Sequence, residues 1–541
     1  MNNNSNSQPV YVLPEDYRRE TGRTAQRNNI LAAKLVGETI RTTLGPKGMD
    51  KMLVDTLGDV IVTNDGVTIL KEMQIEHPAG KMLVEIAKTQ EDEVGDGTTT
   101  AVILAADLLK RAEELLDEKI HPTVIIKGFR LASEKAITLL NGISRKVNIE
   151  DETTLLNIAK TAMTGKGAEN SKEKLSKIVV SAVKDVSEED NGEVYVDIEN
   201  IKIEKVTGGN VEDTELIEGI LLDKERVHAE MPRKIKDANI LLIDSAIELR
   251  DNEIDTKIQI NDPSRMQEFL ELEEQMIRKL TQKVIDSGAT AVFCQKGIDD
   301  LSQYLLAKAG IMAVRRVKKS DMEKIARATG AKIVTSVDNI EQSSIGKSGM
   351  VEEKKIGDDN TILIKECTEA KSVTILVRGS TEHVIDEVKR ALDDSIGVVA
   401  NILKSKAAVA GAAAPEIELS LGLKEYADTL SGREQLAVEA FAKALEVIPA
   451  TLAENAGLDP INVVAELKAS HKQNKPTSGI NVFTGNVMDA WEEGVIEPLK
   501  IKTQAVNSAS EVAIMILRID DVIAAGIEPQ RPGGQMPPDM M

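Results

Sequence analysis

The sequence predicts a multidomain fold in which two mostly helical ends of the chain form one domain and an α/β segment is inserted between them. The 541 residues exceed what one hydrophobic core normally serves, so roughly three or four domains are expected. Apolar residues follow helical spacing in both terminal parts, whereas strand and helix patterns alternate in the middle. This order, helical then α/β then helical, favours an insertion over separate domains in a row.

The N-terminal part predicts long helices with one short hairpin. From Asn28 to Leu44 apolar residues recur at helical spacing, and Gly45-Pro46 ends that helix. The segment VIVTNDGVTIL (60–70) places Asn64-Asp65-Gly66 between two β-branched runs, a pattern typical of a β-hairpin. Helical patterns then continue to about residue 145.

The segment EVGDGTTTAVILAADLL (93–109) carries the most informative polar residues of this part. Gly95 and Gly97 bracket Asp96 and suit a tight turn, and Thr98 to Thr100 then open a helix whose free N–H groups attract anions. The lysine of a G-x-x-x-x-G-K-[ST] phosphate loop is missing, and an aspartate repels phosphate. Asp96 could instead hold Mg²⁺ while the amides and hydroxyls hold phosphate oxygens. A glycine turn before a threonine-capped core helix explains the segment equally well.

The middle of the chain alternates strands and helices. IQIND (258–262) predicts a strand, and Pro263 begins a helix that ends at Gly288. Helices then separate three further strands, which indicates an α/β domain with parallel strands. These strands are AVFC (291–294), MAVRRV (312–317) and AKIV (331–334).

The last part returns to helices, such as GREQLAVEAFAKALEVI (432–448), and ends in EPQRPGGQMPPDMM, a tail that is not expected to fold alone.

Composition narrows the class of protein. The net charge of −22 argues against a nucleic-acid partner, and no window reaches the roughly 20 apolar residues of a membrane span. The first residues, MNNNSNSQPV, do not resemble a signal peptide, so a cytoplasmic protein is expected. With only Cys294 and Cys367, neither a disulfide framework nor a cysteine zinc site is expected, and the five histidines show no metal-ligand spacing.

Several motifs together resemble a group II chaperonin subunit of the archaeal thermosome type. The resemblance runs from about Pro14 to Ala525, and the stretch 240–290 is similar to the helical protrusion that forms a built-in lid. The motifs are TTLGPKGMDKMLVD (42–55), VTNDGVTIL (62–70), VGDGTTTAV (94–102), MTGKGAE (163–169), VRGSTEHVIDEVKRALDDSIGVV (377–399) and GVIEPLKIKTQA (494–505).

The resemblance implies three domains and an ATP-dependent molecular chaperone. Subunits of one or several types would form two stacked rings that enclose unfolded proteins and close their lids on ATP hydrolysis, with ATP, Mg²⁺ and K⁺ as cofactors. The implied domains are a mostly α equatorial domain with small β-hairpins (1–148 and 405–541), a small α/β intermediate hinge domain (149–218 and 372–404) and an inserted α/β apical domain (219–371) with its lid protrusion at about 244–285.

The resemblance also assigns the catalytic roles. Asp96 resembles the Mg²⁺ ligand, Asp65 lies beside the γ-phosphate to aid the attacking water or the metal, and Lys166 senses that phosphate. Asp394 resembles the base that orients the attacking water. Judged by local sequence alone, Asp65 is a turn residue, Lys166 a loop charge, and Asp393-Asp394 a solvated helix face.

The remaining implied residues bind the nucleotide. Leu44, Gly45 and Pro46 form a loop that closes over it, although their local sequence is also that of an ordinary helix stop. Glu497 corresponds to an acceptor for the ribose, and its local alternative is a loop carboxylate before a proline. The full set adds Gly97, Thr98, Thr99 and Thr100 as the phosphate cradle, Asn64 and Gly66 at the NDG turn, and Gly411 and Ala412 at the base and ribose side.

The sequence departs from the family pattern beside the nucleotide. In AGAAAPE (410–416), Ala412 and Ala413 stand where the family usually has glycine, and Ala450 stands where it usually has arginine. If the first two positions need φ > 0, each methyl group costs on the order of 1 kcal/mol. These alanines motivate a second hypothesis, a weakly hydrolysing or non-hydrolysing ring subunit that assembles or holds clients. A third hypothesis is a small-molecule kinase with an Asp-Gly-rich phosphate site.

Overall fold

The computed structural model describes residues 17–167, 169–191, 193–248, 263–357, 359–367 and 371–525. The strand predicted at 258–262 and the C-terminal tail lie outside these residues. Among the helices in these ranges, none is long and apolar enough to cross a membrane.

The N-terminal part is mostly helical, as predicted. The prediction of a hairpin at Asn64-Asp65-Gly66 is wrong. The strands that pair are those before and after residues 55–59, and a helix begins at Gly66. The elements are β1 (Tyr17–Thr21), α1 (Gly22–Arg41), β2 (Lys51–Val54), β3 (Val60–Thr63), α2 (Gly66–Glu72), α3 (Pro78–Val94), α4 (Thr98–Asp117), α5 (Pro122–Ile143) and β4 (Arg145–Lys146).

The reason for the wrong hairpin is that Asp65 acts as a helix cap and not as a turn residue. Its carboxylate accepts hydrogen bonds from the backbone N–H groups of Val67 and Thr68, and so satisfies donors that a helix start leaves free. Asn, Asp and Gly favour both kinds of structure, and the run after Gly66 has helical as well as β-branched residues.

Two further groups of elements follow. The first group connects the N-terminal part to the centre and contains α6 (Glu152–Met163), α7 (Lys172–Val186), β5 (Ser187–Asp190), β6 (Glu193–Val196), β7 (Ile201–Thr207) and β8 (Glu215–Ile217). The second is the α/β centre, with β9 (Gly219–Leu222), β10 (Lys234–Ile243), α8 (Pro263–Asp286), β11 (Ala291–Cys294), α9 (Asp300–Lys308), β12 (Met312–Val314), α10 (Lys319–Thr329), β13 (Ile333–Val334), β14 (Gly346–Ile356) and β15 (Asp359–Lys365).

The central sheet is mixed, with the order β12-β11-β10-β14-β15-β9 and β13 beside β10. The predicted parallel pairing holds for β10 with β11, β11 with β12 and β10 with β13. The other half contains strands that were not predicted and is antiparallel; β14 and β15 pair from Ile356 and Asp359 outward, and so short a connection joins only antiparallel strands. Side chains of β10 alternate between two cores, Ile240 and Leu242 on one face and Leu241 and Ile243 on the other.

The chain then returns to the first two regions. Its remaining elements are β16 (Val373–Gly379), α11 (Glu382–Ser405), β17 (Ala407–Ala410), α12 (Ala414–Asp428), α13 (Arg433–Leu445), α14 (Val447–Asn455), α15 (Pro460–His471), β18 (Ser478–Ile480), β19 (Val487–Asp489), β20 (Ile496–Pro498), α16 (Leu499–Leu517) and β21 (Asp521–Ala525).

The hydrophobic cores confirm an architecture built from both ends of the chain. The largest core combines residues between Ile30 and Leu140 with residues between Ala413 and Leu517, and β1 pairs with β21. We call this the terminal unit. A second core, here the connecting unit, draws mainly on α6, α7, β16 and α11. The exact domain boundaries stay a prediction.

Candidate functional site

A cavity of about 390 Å³ in the terminal unit brings together most of the predicted site residues. Asp394 and Gly411 do not line it, but each lies directly behind a residue that does, because Asp394 contacts Lys166 and Gly411 packs against Glu497. The predicted residues that line the cavity are Leu44, Gly45, Pro46, Asn64, Asp65, Gly66, Asp96, Gly97, Thr98, Thr99, Thr100, Lys166, Ala412 and Glu497.

One wall of the cavity is the N-terminus of α4. Gly97 is its N-cap residue, with φ of +82°, and no side chain caps this helix end. The first N–H groups of α4 are therefore free to bind an anion, and the helix dipole adds to the attraction. The turn before it is held by the buried Gln90, whose amide donates to the carbonyl oxygens of Asp96 (3.0 Å) and Ile501 (3.2 Å).

Next to this helix end, a lysine lies among carboxylates. The Lys166 ammonium is 2.5 Å from Asp394 and 3.5 Å from Asp96. Burial alone would lower the pKa of Lys166, but the carboxylates of Asp394, Asp96 and Asp65 outweigh it and raise that pKa. Burial, with added contributions from Asp96 and Asp65, raises the pKa of Asp394 to about 8 against the opposing effect of Lys166. The cluster thus holds more negative charge than one lysine neutralises.

Asp65 reaches the cavity because it caps α2. One carboxylate oxygen accepts from the N–H (2.8 Å) and hydroxyl (2.7 Å) of Thr68, which fixes the side chain. Its neighbour Asn64 donates to the carbonyl oxygen of Gly165 at 2.6 Å. This bond ties the NDG segment to the loop that carries Lys166.

A buried ion triad lies beneath the cavity. The Lys502 ammonium is 2.9 Å from Glu416 and 2.8 Å from Glu497, and its side chain is only 9% exposed. Burial raises the pKa of Glu497, although Lys502 opposes the effect. The two carboxylates in turn raise the pKa of Lys502 despite its burial. Glu497, predicted from sequence, is therefore held in place by Lys502, which the sequence did not single out.

Part of the cavity wall, here called its apolar end, comes from α14 and residues 480–488, and sequence reasoning missed it. The ring of Phe483 is 61% exposed, with the Lys47 ammonium 5.0 Å from its centre. Such residues carry no distinctive local signal, because the same types fill every core of the chain. The apolar lining residues are Ile448, Leu452, Ile480, Val482, Phe483 and Met488.

The alanines that depart from the family pattern do adopt left-handed backbone. Ala412 has φ of +55° and Ala413 has φ of +63°. Both line the cavity, and the carbonyl oxygen of Ala412 accepts a 3.0 Å hydrogen bond from the N–H of Ile480. Both alanines therefore carry the backbone strain that was expected if these positions need φ > 0.

The donor set suits a hard cation that arrives with an anionic ligand. Among the described residues, no group of three or more His, Cys, Asp or Glu side chains could hold a metal alone. Mg²⁺ commonly takes one or two protein carboxylates and completes its shell with phosphate oxygens and water. Asp96, which lines the cavity directly before the N-cap residue of α4, fits that pattern.

A helical unit built from both chain ends, a connecting unit that shares a cavity with it and an inserted α/β centre define the architecture of a chaperonin subunit. A family model described as the TCP-1/cpn60 chaperonin family matches residues 36–526. The chain belongs to this family.

Named relatives agree with this assignment. The chain is 58% identical over 528 residues to thermosome subunit beta of Archaeoglobus fulgidus, covering 97% of each chain. It is 56% identical over 524 residues to thermosome subunit alpha of the same organism, covering 97% of this chain and 96% of that one. A solved open-state monomer of a group II chaperonin from Methanococcoides burtonii is 48% identical, with a TM-score of 0.59, and the match covers 79% of this chain and all of that one.

The comparisons confirm the predicted resemblance and the multidomain fold, and they identify the chain as a chaperonin subunit of the thermosome type. They do not favour a non-hydrolysing ring subunit or a small-molecule kinase.

Proposed function

We propose that this chaperonin subunit binds ATP with Mg²⁺ in the cavity of the terminal unit and hydrolyses it to drive protein folding. The observation that carries the proposal is the cluster of Asp96, Lys166 and Asp394, in which Asp96 directly precedes the uncapped N-terminus of α4. Phosphoryl transfer needs positioned charge and an oriented water more than covalent chemistry, and this cluster offers both.

Each residue has a role in this proposal. The N–H groups and hydroxyls of Thr98, Thr99 and Thr100 hold phosphate oxygens, and Asp96 holds Mg²⁺. When bound, Mg²⁺ neutralises charge on the phosphates and lowers the barrier to their transfer. Asp394 accepts a proton from the attacking water, and Asp65 orients that water or the metal. Lys166 donates to the transferred phosphate.

Other residues of the same cavity bind the ribose and the base of the nucleotide in this proposal. Glu497, held by Lys502, accepts from the ribose, and the apolar residues contributed by α14 and β18 contact the base. Leu44, Gly45 and Pro46 cover the nucleotide. We include K⁺ as a further cofactor because the resemblance to the family implies it. We also propose that such subunits form two stacked rings in the cytoplasm and that these rings enclose unfolded protein clients.

The test is steady-state ATP hydrolysis with Mg²⁺ and K⁺ by the unmodified chain and by Asp394→Ala. We expect the variant to lose turnover by a factor on the order of 10² to 10⁴, which is the usual contribution of a general base. It should still bind nucleotide, because Asp394 does not line the cavity.

Asp393→Ala is the matched control. Asp393 precedes Asp394 on α11, but its side chain is 52% exposed and its ion pair is with Lys389 at 3.6 Å. Its turnover should stay within about twofold of the unmodified chain. Turnover that survives in Asp394→Ala, or that disappears equally in both variants, would contradict the assigned base.

A further inference from the structure

Two glycines of different units touch directly behind the carboxylate cluster. Gly95 ends α3 one residue before Asp96, and Gly397 lies in α11 three residues after Asp394. A methyl group added at Gly95 would lie 2.9 Å from the Cα atom of Gly397, and one added at Gly397 would lie 3.0 Å from the Cα atom of Gly95. Carbon atoms pack best at about 3.5–4.0 Å, so a side chain at either position requires the two backbones to move apart.

The contact lies on the face of α11 that carries the proposed base. Arg390, Asp394 and Gly397 are spaced by four and three residues, which places them along one stripe of the helix. Arg390 donates to the carbonyl oxygen of Val62 at 3.4 Å, and Asp394 contacts Lys166 at 2.5 Å. This stripe therefore contacts the terminal unit on both sides of Asp394.

From this geometry we propose that Gly397 is a positioning residue for hydrolysis. The inference rests on the proposed function, and it concerns how closely α11 approaches the turn before α4. By allowing the two backbones to touch, Gly95 and Gly397 set the distance at which Asp394 faces Asp96 and Lys166. Any side chain at residue 397 holds α11 away from that turn and moves the base out of reach.

Gly397 offers a cleaner test than Gly95. Gly95 has φ of +78°, so any side chain there adds backbone strain to the steric clash. Gly397 is inside a helix with ordinary φ, where Gly→Ala favours the helix by about 1 kcal/mol. A loss of activity in Gly397→Ala therefore cannot come from a weakened helix.

The experiment compares Gly397→Ala and Gly397→Val in the full assembled chain with Gly142→Ala and Gly142→Val. Gly142 lies in α5, and a methyl group there meets nothing within 4 Å. We expect kcat to fall about tenfold in Gly397→Ala and further in Gly397→Val, since a misplacement near 1 Å can cost about 10²-fold. Nucleotide affinity should stay within about twofold, because the cavity itself is untouched. The Gly142 variants should keep both values.

Two results would overturn the proposal. One is a kcat of Gly397→Ala equal to that of Gly142→Ala, and the other is a nucleotide affinity that falls in parallel with kcat. If the unmodified chain hydrolyses no ATP, the proposed function fails, and the geometry is then tested by electron cryomicroscopy of the Gly397→Val assembly. We expect residue 397 to lie farther from Gly95 by on the order of 1 Å. An unchanged separation would refute the positioning role.

Discussion

The left-handed alanines make a prediction about stability that can be worked out residue by residue. An L-residue in this backbone region costs about 1–2 kcal/mol, and glycine removes that cost. Glycine in turn loses about 0.5–1 kcal/mol more conformational freedom on folding. The net gain from relieving the backbone is therefore about 0.5–1 kcal/mol at each position.

Burial separates the two positions. Ala413 is only 2% exposed, so removing its methyl group forfeits about 0.8 kcal/mol of apolar burial and cancels the gain. Ala412 is only partly buried and forfeits less. We therefore expect Ala412→Gly to stabilise the protein by about 0.5 kcal/mol and Ala413→Gly to leave it nearly unchanged.

The assay is urea unfolding followed by the fluorescence of Trp491, the one tryptophan of the chain, which packs in the same small cluster as Ala412. Ala412→Gly should raise the midpoint by roughly 0.2 M or less, because m in urea lies at or above about 3 kcal/mol/M for a chain of this size. Ala414→Gly is the control, because Ala414 is fully buried at the start of α12, and we expect its midpoint to fall. A larger gain for Ala413→Gly than for Ala412→Gly would refute the reasoning.

Two other predictions concern charged groups that the cores enclose. Lys502→Met leaves Glu416 and Glu497 without their shared cation and should cost about 3–5 kcal/mol of stability. Adding Glu416→Gln to this variant should restore part of the lost stability. Equal urea midpoints for the single and the double variant would contradict this expectation. Glu446 has a lowered pKa because its hydrogen bonds from Lys424 (2.7 Å), Lys468 (2.6 Å) and Ser420 (2.6 Å) outweigh its burial. A lowered carboxyl pKa stabilises the fold above the ordinary value of 4.5 and loses this effect as the pH falls through the folded-state value. Glu446→Gln should therefore cost about 1–2 kcal/mol of stability at pH 7, and its difference in urea midpoint from the unmodified chain should shrink as the pH is lowered below 4.5; a difference that does not change with pH would exclude the linkage.

The sequence predicted the parts of the site that local chemistry determines. The turn of Gly95, Asp96 and Gly97 before α4 was readable because tight turns and open helix ends require particular residues. Asp394 was readable only through the family resemblance, because a second aspartate on an amphipathic helix has no local mark. The apolar end of the cavity had no signal at all, since Leu452 and Ile480 differ from core residues only in what they face.

Parts of the fold were likewise predictable from local sequence, and other parts were not. The strand Ala291–Cys294 was found to the residue because a short apolar run between turns has few alternatives. The NDG segment was misread because cap and turn use the same residues, and only the packing of α2 decides between them. The antiparallel half of the central sheet depends on which distant strands meet, and periodicity does not record that.

The excess negative charge of the site explains why several contacts around it fix the backbone of the residues that carry the carboxylates. Asp65, Asp96 and Asp394 repel one another, and Lys166 neutralises only one of them. Left to themselves, the carboxylates would separate or take up protons; burial is the main cause that raises the pKa of Asp394, and Asp96 and Asp65 add to it. They stay together because the cap on α2, the buried Gln90 and the contact of Gly95 with Gly397 each fix the backbone that carries one of them. Under the proposed function, a nucleotide that arrives with its own cation would relieve this repulsion, because the cation adds positive charge where Lys166 alone does not balance the carboxylates.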